Sequence, residues 1–177
     1  MSTLKIDAQD LATGAIYIPS PNQDARPSGS QISLAVIHNI SLPPQQYGGD
    51  GVIELFTNRL DPSQHPYYAE IHQLKVSSHF FIRRDGSLIQ FVPCAQRAWH
   101  AGVSNWQGRE HCNDFSVGIE LEGSDFDAFL PLQYATLSSL LAALKVAYPI
   151  TDIVGHSDIA PGRKTDPGPY FDWSKIL

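Results

Sequence analysis

Ile32-Ser33-Leu34-Ala35-Val36-Ile37-His38-Asn39-Ile40 is a nearly continuous apolar run of strand length. A strand with one wet face alternates apolar and polar residues, whereas a strand covered on both faces reads as an unbroken apolar run. The stretch therefore predicts a β-strand buried on both sides. His38 sits at its carboxyl end, directly before Asn39.

The neighbouring segments supply the rest of the fold. Residues 1–31 are rich in Pro, Ser, Gly and Asn and read as an arm packed on the domain, with Ile16-Tyr17-Ile18 as a short edge strand. Residues 50–60 predict a helix, opened by Asp50 or Gly51, with Val52, Leu55, Phe56 and Leu60 on one side. A helical turn is expected within 67–74. Residues 77–82 and 87–92 predict two strands around Arg84-Asp85-Gly86, because Asp-Gly is a strong hairpin signal. In 116–121, Val117, Ile119 and Leu121 face one way, while Ser116, Gly118, Glu120 and, two residues on, Glu122 face the other. Small residues beside carboxylates suit a face that lines a cavity. Tyr134, Leu137, Leu141, Leu144 and Tyr148 recur at helical spacing, and Pro149 ends that helix. Asp152-Ile153-Val154 predicts a short strand leading to His156. The order β-α-β-β-β-α-β defines an α/β (mixed α+β) chain, a mixed sheet flanked by helices, in one domain spanning 1–177. No repeat or linker interrupts it.

Gly155-His156-Ser157-Asp158-Ile159-Ala160-Pro161-Gly162-Arg163-Lys164-Thr165-Asp166-Pro167-Gly168 concentrates the chemistry. Pro161-Gly162 and Pro167-Gly168 give it a turn-rich backbone with little regular structure. His156 and Asp166 are ordinary zinc ligands, and three protein ligands with an open fourth position form the usual catalytic zinc site. His38 is the best third ligand. Taken singly, each of the three suits a structural or solvated role, and only the set favours a metal. Two imidazoles and one carboxylate suit zinc better than magnesium or calcium. Lys164, two residues before Asp166, falls on the same side of an extended segment and can stabilise an oxyanion. Arg163 suits a solvent-facing role. Glu120 and Glu122 project from one strand face, and spacing alone does not separate them as a general base.

Four motifs occur in order: Val36-Ile37-His38-Asn39-Ile40-Ser41-Leu42-Pro43-Pro44, Ala98-Trp99-His100-Ala101-Gly102, Asn113 to Gly123, and Gly155 to Gly168. Together they resemble the zinc-dependent N-acetylmuramoyl-L-alanine amidases, from about Ile32 to Trp173. The likeness is greatest to the members that act on 1,6-anhydromuropeptides in peptidoglycan recycling. It implies one zinc ion per chain on His38, His156 and Asp166, with Glu120 as general base and the fold of amidases and peptidoglycan-recognition proteins. Trp99 and His100 are candidate walls of a substrate groove. Asn39, Arg83, Arg84 and Arg109 are candidate contacts for muropeptide carboxylates or glycan, since arginine forks match carboxylates. His111 stands where some relatives carry arginine, so it or Arg109 is the candidate for the peptide end. His79 is expected to be structural or to support a ligand, and His65 and His72 to be surface or structural.

Composition narrows the alternatives. With 42% hydrophobic and 17% charged residues, the 177-residue chain is expected to fold rather than remain disordered. A net charge of −6 disfavours nucleic acid and anionic membranes as partners. Met1 to Asp7 has no basic segment followed by an apolar run, so a cytoplasmic location is expected, with Cys94 and Cys112 as buried thiols; the sequence leaves the oligomeric state open, a monomer being favoured. Two rival readings share the motifs. A phage-type or autolytic amidase works outside the membrane, and the Pro-Pro, Tyr-Gly-Gly and Pro-Tyr-Tyr loops after His38 fit the recycling enzymes better. A non-catalytic recognition module loses ligands, whereas every proposed ligand, Glu120 and Lys164 are present here.

Overall fold

The computed structural model describes residues 4–176. In chain order its strands are β1 Ile16–Tyr17, β2 Gln23–Ala25, β3 Leu34–Ile40, β4 Phe80–Ile82, β5 Leu88–Gln90, β6 Gln96–Ala98, β7 Asn105–Trp106, β8 Arg109–Glu110, β9 Ser116–Glu122 and β10 Asp152–Gly155. Its helices are α1 Gly51–Phe56, α2 Pro66–Ile71, α3 Pro131–Ala147 and α4 His156–Ile159. The main sheet has the order β1-β5-β4-β9-β3-β10. Strands β4, β9, β3 and β10 run parallel, and β5 pairs antiparallel with β4. The sheet is thus mixed, as the segment order predicts.

The apolar run does become an inner strand. β3 lies between β9 and β10, and Leu34 to His38 are all buried. One face of the sheet carries Ala35, Ile37, Phe80, Ile82, Val117, Ile119 and Leu121. Against it α3 packs Leu137, Leu140, Leu141 and Leu144. Pro131 fits the first turn of α3, where no backbone donor is needed. Gln133, wholly buried, accepts from Leu130 N–H and donates to Glu122 O, tying the helix start to β9. The other face has two smaller clusters. α1 and α2 cover Phe81, Ile89 and Phe91, while Leu34, Val36 and Val154 pack with Phe115 and Ile159.

Several boundaries differ from expectation. α1 ends at Phe56 because Asn58 takes a left-handed conformation with φ 59°, although Leu60 still joins the apolar cluster. β4 starts only at Phe80. The preceding residues bond elsewhere: Ser77 N donates to Trp99 O, and the His79 ring accepts from Gly118 N. The hairpin turn has one positive-φ residue, Gly86 at 83°, with Arg83 and Ser87 closing the loop. His156 to Ile159 form one helical turn, whereas the sequence predicts little regular structure there. The arm is also more than a packed cover. It contributes β1 to the main sheet and pairs β2 with β6, and only residues 1–3 of it lie outside the described part. Cys94 and Cys112 are free and buried.

The core on the α3 side is the larger one, and Leu140 in it is fully buried. Leu140→Ala is expected to lower stability by about 2–5 kcal/mol, the usual range for removing such a side chain from a packed interior. Urea unfolding followed by circular dichroism measures this.

Candidate metal centre

The parallel register of β3 with β9 places His38 opposite Glu120. Both side chains project from the face not covered by α3. β10 then delivers His156 at the start of α4, on the other side of β3. Asp166 comes back from the following loop, where Ser157 N donates to its carbonyl at 3.0 Å.

Three atoms converge. His38 Nδ1 lies 3.0 Å from His156 Nδ1 and 3.0 Å from Asp166 Oδ2, and the third edge, His156 Nδ1 to Asp166 Oδ2, is 3.1 Å. The opposite ring nitrogen of His156 has a partner that can only accept. His156 Nε2 faces the Ala101 carbonyl at 3.0 Å, so Nε2 carries the proton and Nδ1 is bare. His38 Nε2 lies 2.9 Å from His100 Nδ1, and His100 Nε2 lies 3.0 Å from Ser116 Oγ. Burial lowers the His38 pKa, against the opposing pull of Asp166, and so favours neutral imidazole. Two imidazole lone pairs and a carboxylate oxygen pointing at one another are mutually repulsive until a cation lies between them. The triangle is close to what bonds of about 2.0–2.2 Å require. Its donor chemistry suits zinc.

Glu120 is 8% exposed, and its Oε2 has no hydrogen-bond partner among the described residues. Burial, then the charge of Asp166, raises its pKa well above the ordinary glutamate value, and Lys164 opposes the shift. Glu122 differs. Its Oε1 accepts from Gly48 N and its Oε2 from Arg84 N, at 2.6 and 2.9 Å, so it fastens two loops. The two carboxylates that spacing leaves equivalent are thereby distinguished.

A groove of about 590 Å³ opens over these groups, lined by His38, Glu120, Asp166, Lys164, Trp99 and Tyr67 among others. Lys164 is exposed at its edge. Trp99 presents its ring to the groove while Nε1 donates to Asp24 Oδ1 at 3.2 Å. Other candidates fall elsewhere. His100 touches the groove, but both of its ring nitrogens are engaged within the protein, so it supports His38 instead of serving as a free substrate contact. Gly118 makes room for it, since a Cβ there would come within 2.5 Å of the His100 ring. Asn39 borders the groove, yet its amide donates to Asp125 Oδ1 and Pro167 O, bracing the loop that carries Asp166.

Three arginine candidates, Arg83, Arg84 and Arg109, are not among the groove-lining residues. The β4–β5 turn directs Arg83 toward the Gly48 carbonyl and Asp50, outside the groove lining. Arg109 donates to Ser33 Oγ and stacks 3.7 Å above Phe115. Ser33 precedes the amino end of β3, five residues and thus about 16 Å of strand from His38. Arg84 is held by the Ala128 carbonyl and lies over Tyr47. Arg163, which suits a solvent-facing role in the sequence, donates to Ala101 O and Val103 O, each at 2.7 Å. His79 is buried, and its pKa is lowered to about 3, chiefly by burial. His65 caps α2 by accepting from Tyr67 N.

This is the architecture of the N-acetylmuramoyl-L-alanine amidases. The family model matches residues 28–169, and the chain belongs to that family. Over 170 residues it is 53% identical to the 1,6-anhydro-N-acetylmuramyl-L-alanine amidase AmpD of Escherichia coli (strain K12), covering 95% of this chain and 93% of that protein. The crystal structure of a selenomethionine derivative of AmpD is similar with TM-score 0.93 at 52% identity, covering 95% of each chain. The E. coli amidase AmiD, solved with anhydro-N-acetylmuramic acid-L-Ala-D-gamma-Glu-L-Lys, is similar with TM-score 0.62 at 29% identity, covering 85% of this chain and 59% of that one.

The two glutamates should respond oppositely to neutralisation in the metal-free protein. Because the folded-state pKa of Glu120 is raised, its stabilising protonated state is fully present below about pH 4.3, the ordinary glutamate value. That contribution is lost as pH rises through the folded value. Glu120→Gln is therefore expected to raise the melting temperature at pH 7–8, with the difference vanishing below about pH 4. Glu122→Ala strands two backbone donors and should cost about 1–3 kcal/mol. Calorimetry across pH in the presence of chelator checks both.

Proposed function

We infer that this chain is a zinc-dependent N-acetylmuramoyl-L-alanine amidase that cleaves 1,6-anhydromuropeptides in cytoplasmic peptidoglycan recycling. The observation carrying the reading is one groove that brings together His38, His156 and Asp166 with Glu120 beside them. Identity of 53% to AmpD along nearly the whole chain supports the anhydromuropeptide substrate. The AmiD complex supports a muropeptide in a groove of this fold. Among the described residues, no helix is long and apolar enough to cross a membrane.

His38, His156 and Asp166 would hold one zinc ion. When bound, zinc supplies a Lewis acid and lowers the pKa of a water to about 7. Glu120 takes a proton from the attacking water and returns it to the alanine nitrogen as the C–N bond breaks. A buried carboxyl with raised proton affinity suits both transfers. Lys164 brings its ammonium to the carbonyl oxygen, where negative charge grows in the transition state. Trp99 offers an aromatic wall for a sugar or peptide face. The products are the anhydro sugar with a free lactyl carboxylate and a peptide with a free alanine amine.

Metal analysis is expected to find about one zinc per chain in the parent, with loss of metal and activity together in His38→Ala and His156→Ala. Full zinc occupancy in His156→Ala would remove it from the ligand set. Glu120→Gln should keep zinc while kcat falls about 10²–10⁴-fold. Lys164→Ala should keep zinc and KM while kcat falls about 10²–10³-fold. A change in KM alone would make Lys164 a binding residue. Mass spectrometry of products from anhydromuropeptide and from intact sacculi, run side by side, tests the bond and the substrate. Similar kcat/KM on both would point to a wall-degrading amidase.

A further inference from the structure

Arg26 follows β2 directly and turns its guanidinium into the protein, where its partners are carbonyl oxygens instead of carboxylates. Nε and Nη2 donate to Cys94 O at 3.2 and 2.9 Å. Nη1 donates to Asn113 O and Asp114 O at 3.0 and 3.1 Å, and Nη2 also donates to Ser116 O at 2.8 Å. These contacts engage all five N–H groups of an arginine side chain. Burial lowers the pKa only to about 10, so the charge remains at neutral pH. The guanidinium thus clamps the backbone of 113–116 against residue 94.

Two lines of hydrogen bonds run from the clamped segment to the metal centre. In the first, Asn113 Oδ1 accepts from His100 N and Ala101 N at 3.1 and 2.8 Å. This fixes Ala101, whose carbonyl accepts from His156 Nε2. In the second, Ser116 Oγ meets His100 Nε2, and His100 Nδ1 meets His38 Nε2. Each metal-facing imidazole is therefore held from behind by a group whose position depends on 113–116. His79, 3.2 Å from Arg26 Nη2, stands aside from both lines: it bonds Gln96 O and Gly118 N.

We propose that Arg26 and Asn113 are positioning residues for the metal centre, aiming Nδ1 of His38 and of His156 at Asp166 through His100 and the Ala101 carbonyl. The proposal rests on the reading of these three residues as zinc ligands. It assigns a role to an arm residue and to a loop residue, neither of which bears a metal-binding group. Partners behind metal-bound histidines typically change metal affinity about 10–100-fold when removed.

The test compares the parent with Asn113→Ala, Asn113→Asp and Arg26→Lys. Each protein is stripped of metal, and its zinc affinity is measured by competition with a chromophoric chelator. Urea unfolding and, at saturating zinc, kcat and KM on an anhydromuropeptide are measured alongside. Asn113→Ala and Arg26→Lys should bind zinc about 10–100-fold more weakly with KM unchanged. Asn113→Asp keeps the acceptor oxygen and should bind near the parental affinity. Asn113 is only partly buried, and urea unfolding identifies which of its two variants are folded, so these decide the matter should Arg26→Lys fail to fold. A folded Asn113→Ala protein with parental zinc affinity, or an Asn113→Asp protein as weak as Asn113→Ala, would overturn the proposal. A parent that binds no zinc would instead overturn the ligand reading beneath it.

Discussion

The pairing of β3 with β9 is the constraint on which the other parts depend. Seven residue pairs, from Leu34 with Ser116 to Ile40 with Glu122, lock two largely buried strands side by side. A slip of one residue would send His38 or Glu120 to the α3 side, because alternate side chains leave opposite faces of a strand. It would also bring the apolar residues that α3 covers out into the groove. The packing that stabilises the sheet is thus the same packing that sets imidazole beside carboxylate. The layer of leucines on α3 and the acidic, histidine-rich groove are two sides of one register.

On the groove face the chain tolerates polar groups that folding alone disfavours. An unpartnered carboxylate oxygen and several neutral imidazoles are buried there. Edge-to-face contacts link His156 to His38 and His38 to His100, with ring centroids 4.4 and 5.1 Å apart. Such a strip persists because nearly every other polar atom around it is satisfied. Glu122, Asn39 and Arg163 each hold a loop bordering the groove by hydrogen bonds to backbone.

Much of this was legible in the sequence where periodicity carried the signal. The unbroken run at 32–40, the alternation at 116–121 and the 3.6-residue repeat of Leu137, Leu141 and Leu144 each identify an element and its covered side. The meeting of His38, His156 and Asp166 followed from ligand chemistry and motif order, and their mutual distances bear out the convergence. What periodicity could not carry was the direction of long polar side chains. Arg83 and Arg109 look suited to bind carboxylates, but their targets are set by turns and loops close to them. Glu120 and Glu122 share a strand face, and only the backbone amides of Gly48 and Arg84, both distant in sequence from Glu122, tell them apart. Arg26 gives no local sign at all, since its partners lie 68 to 90 positions away.

The residues of the candidate metal centre are also far apart along the chain: His38 and Asp166 are separated by 128 positions. An ion gripped by both would act as a cross-link that closes most of the polypeptide into a ring. Closing long loops removes the most freedom from an unfolded chain. Metal loading would therefore strengthen the entire domain, including the helix on the opposite side of the sheet. Its removal would be felt as a general loosening of the domain.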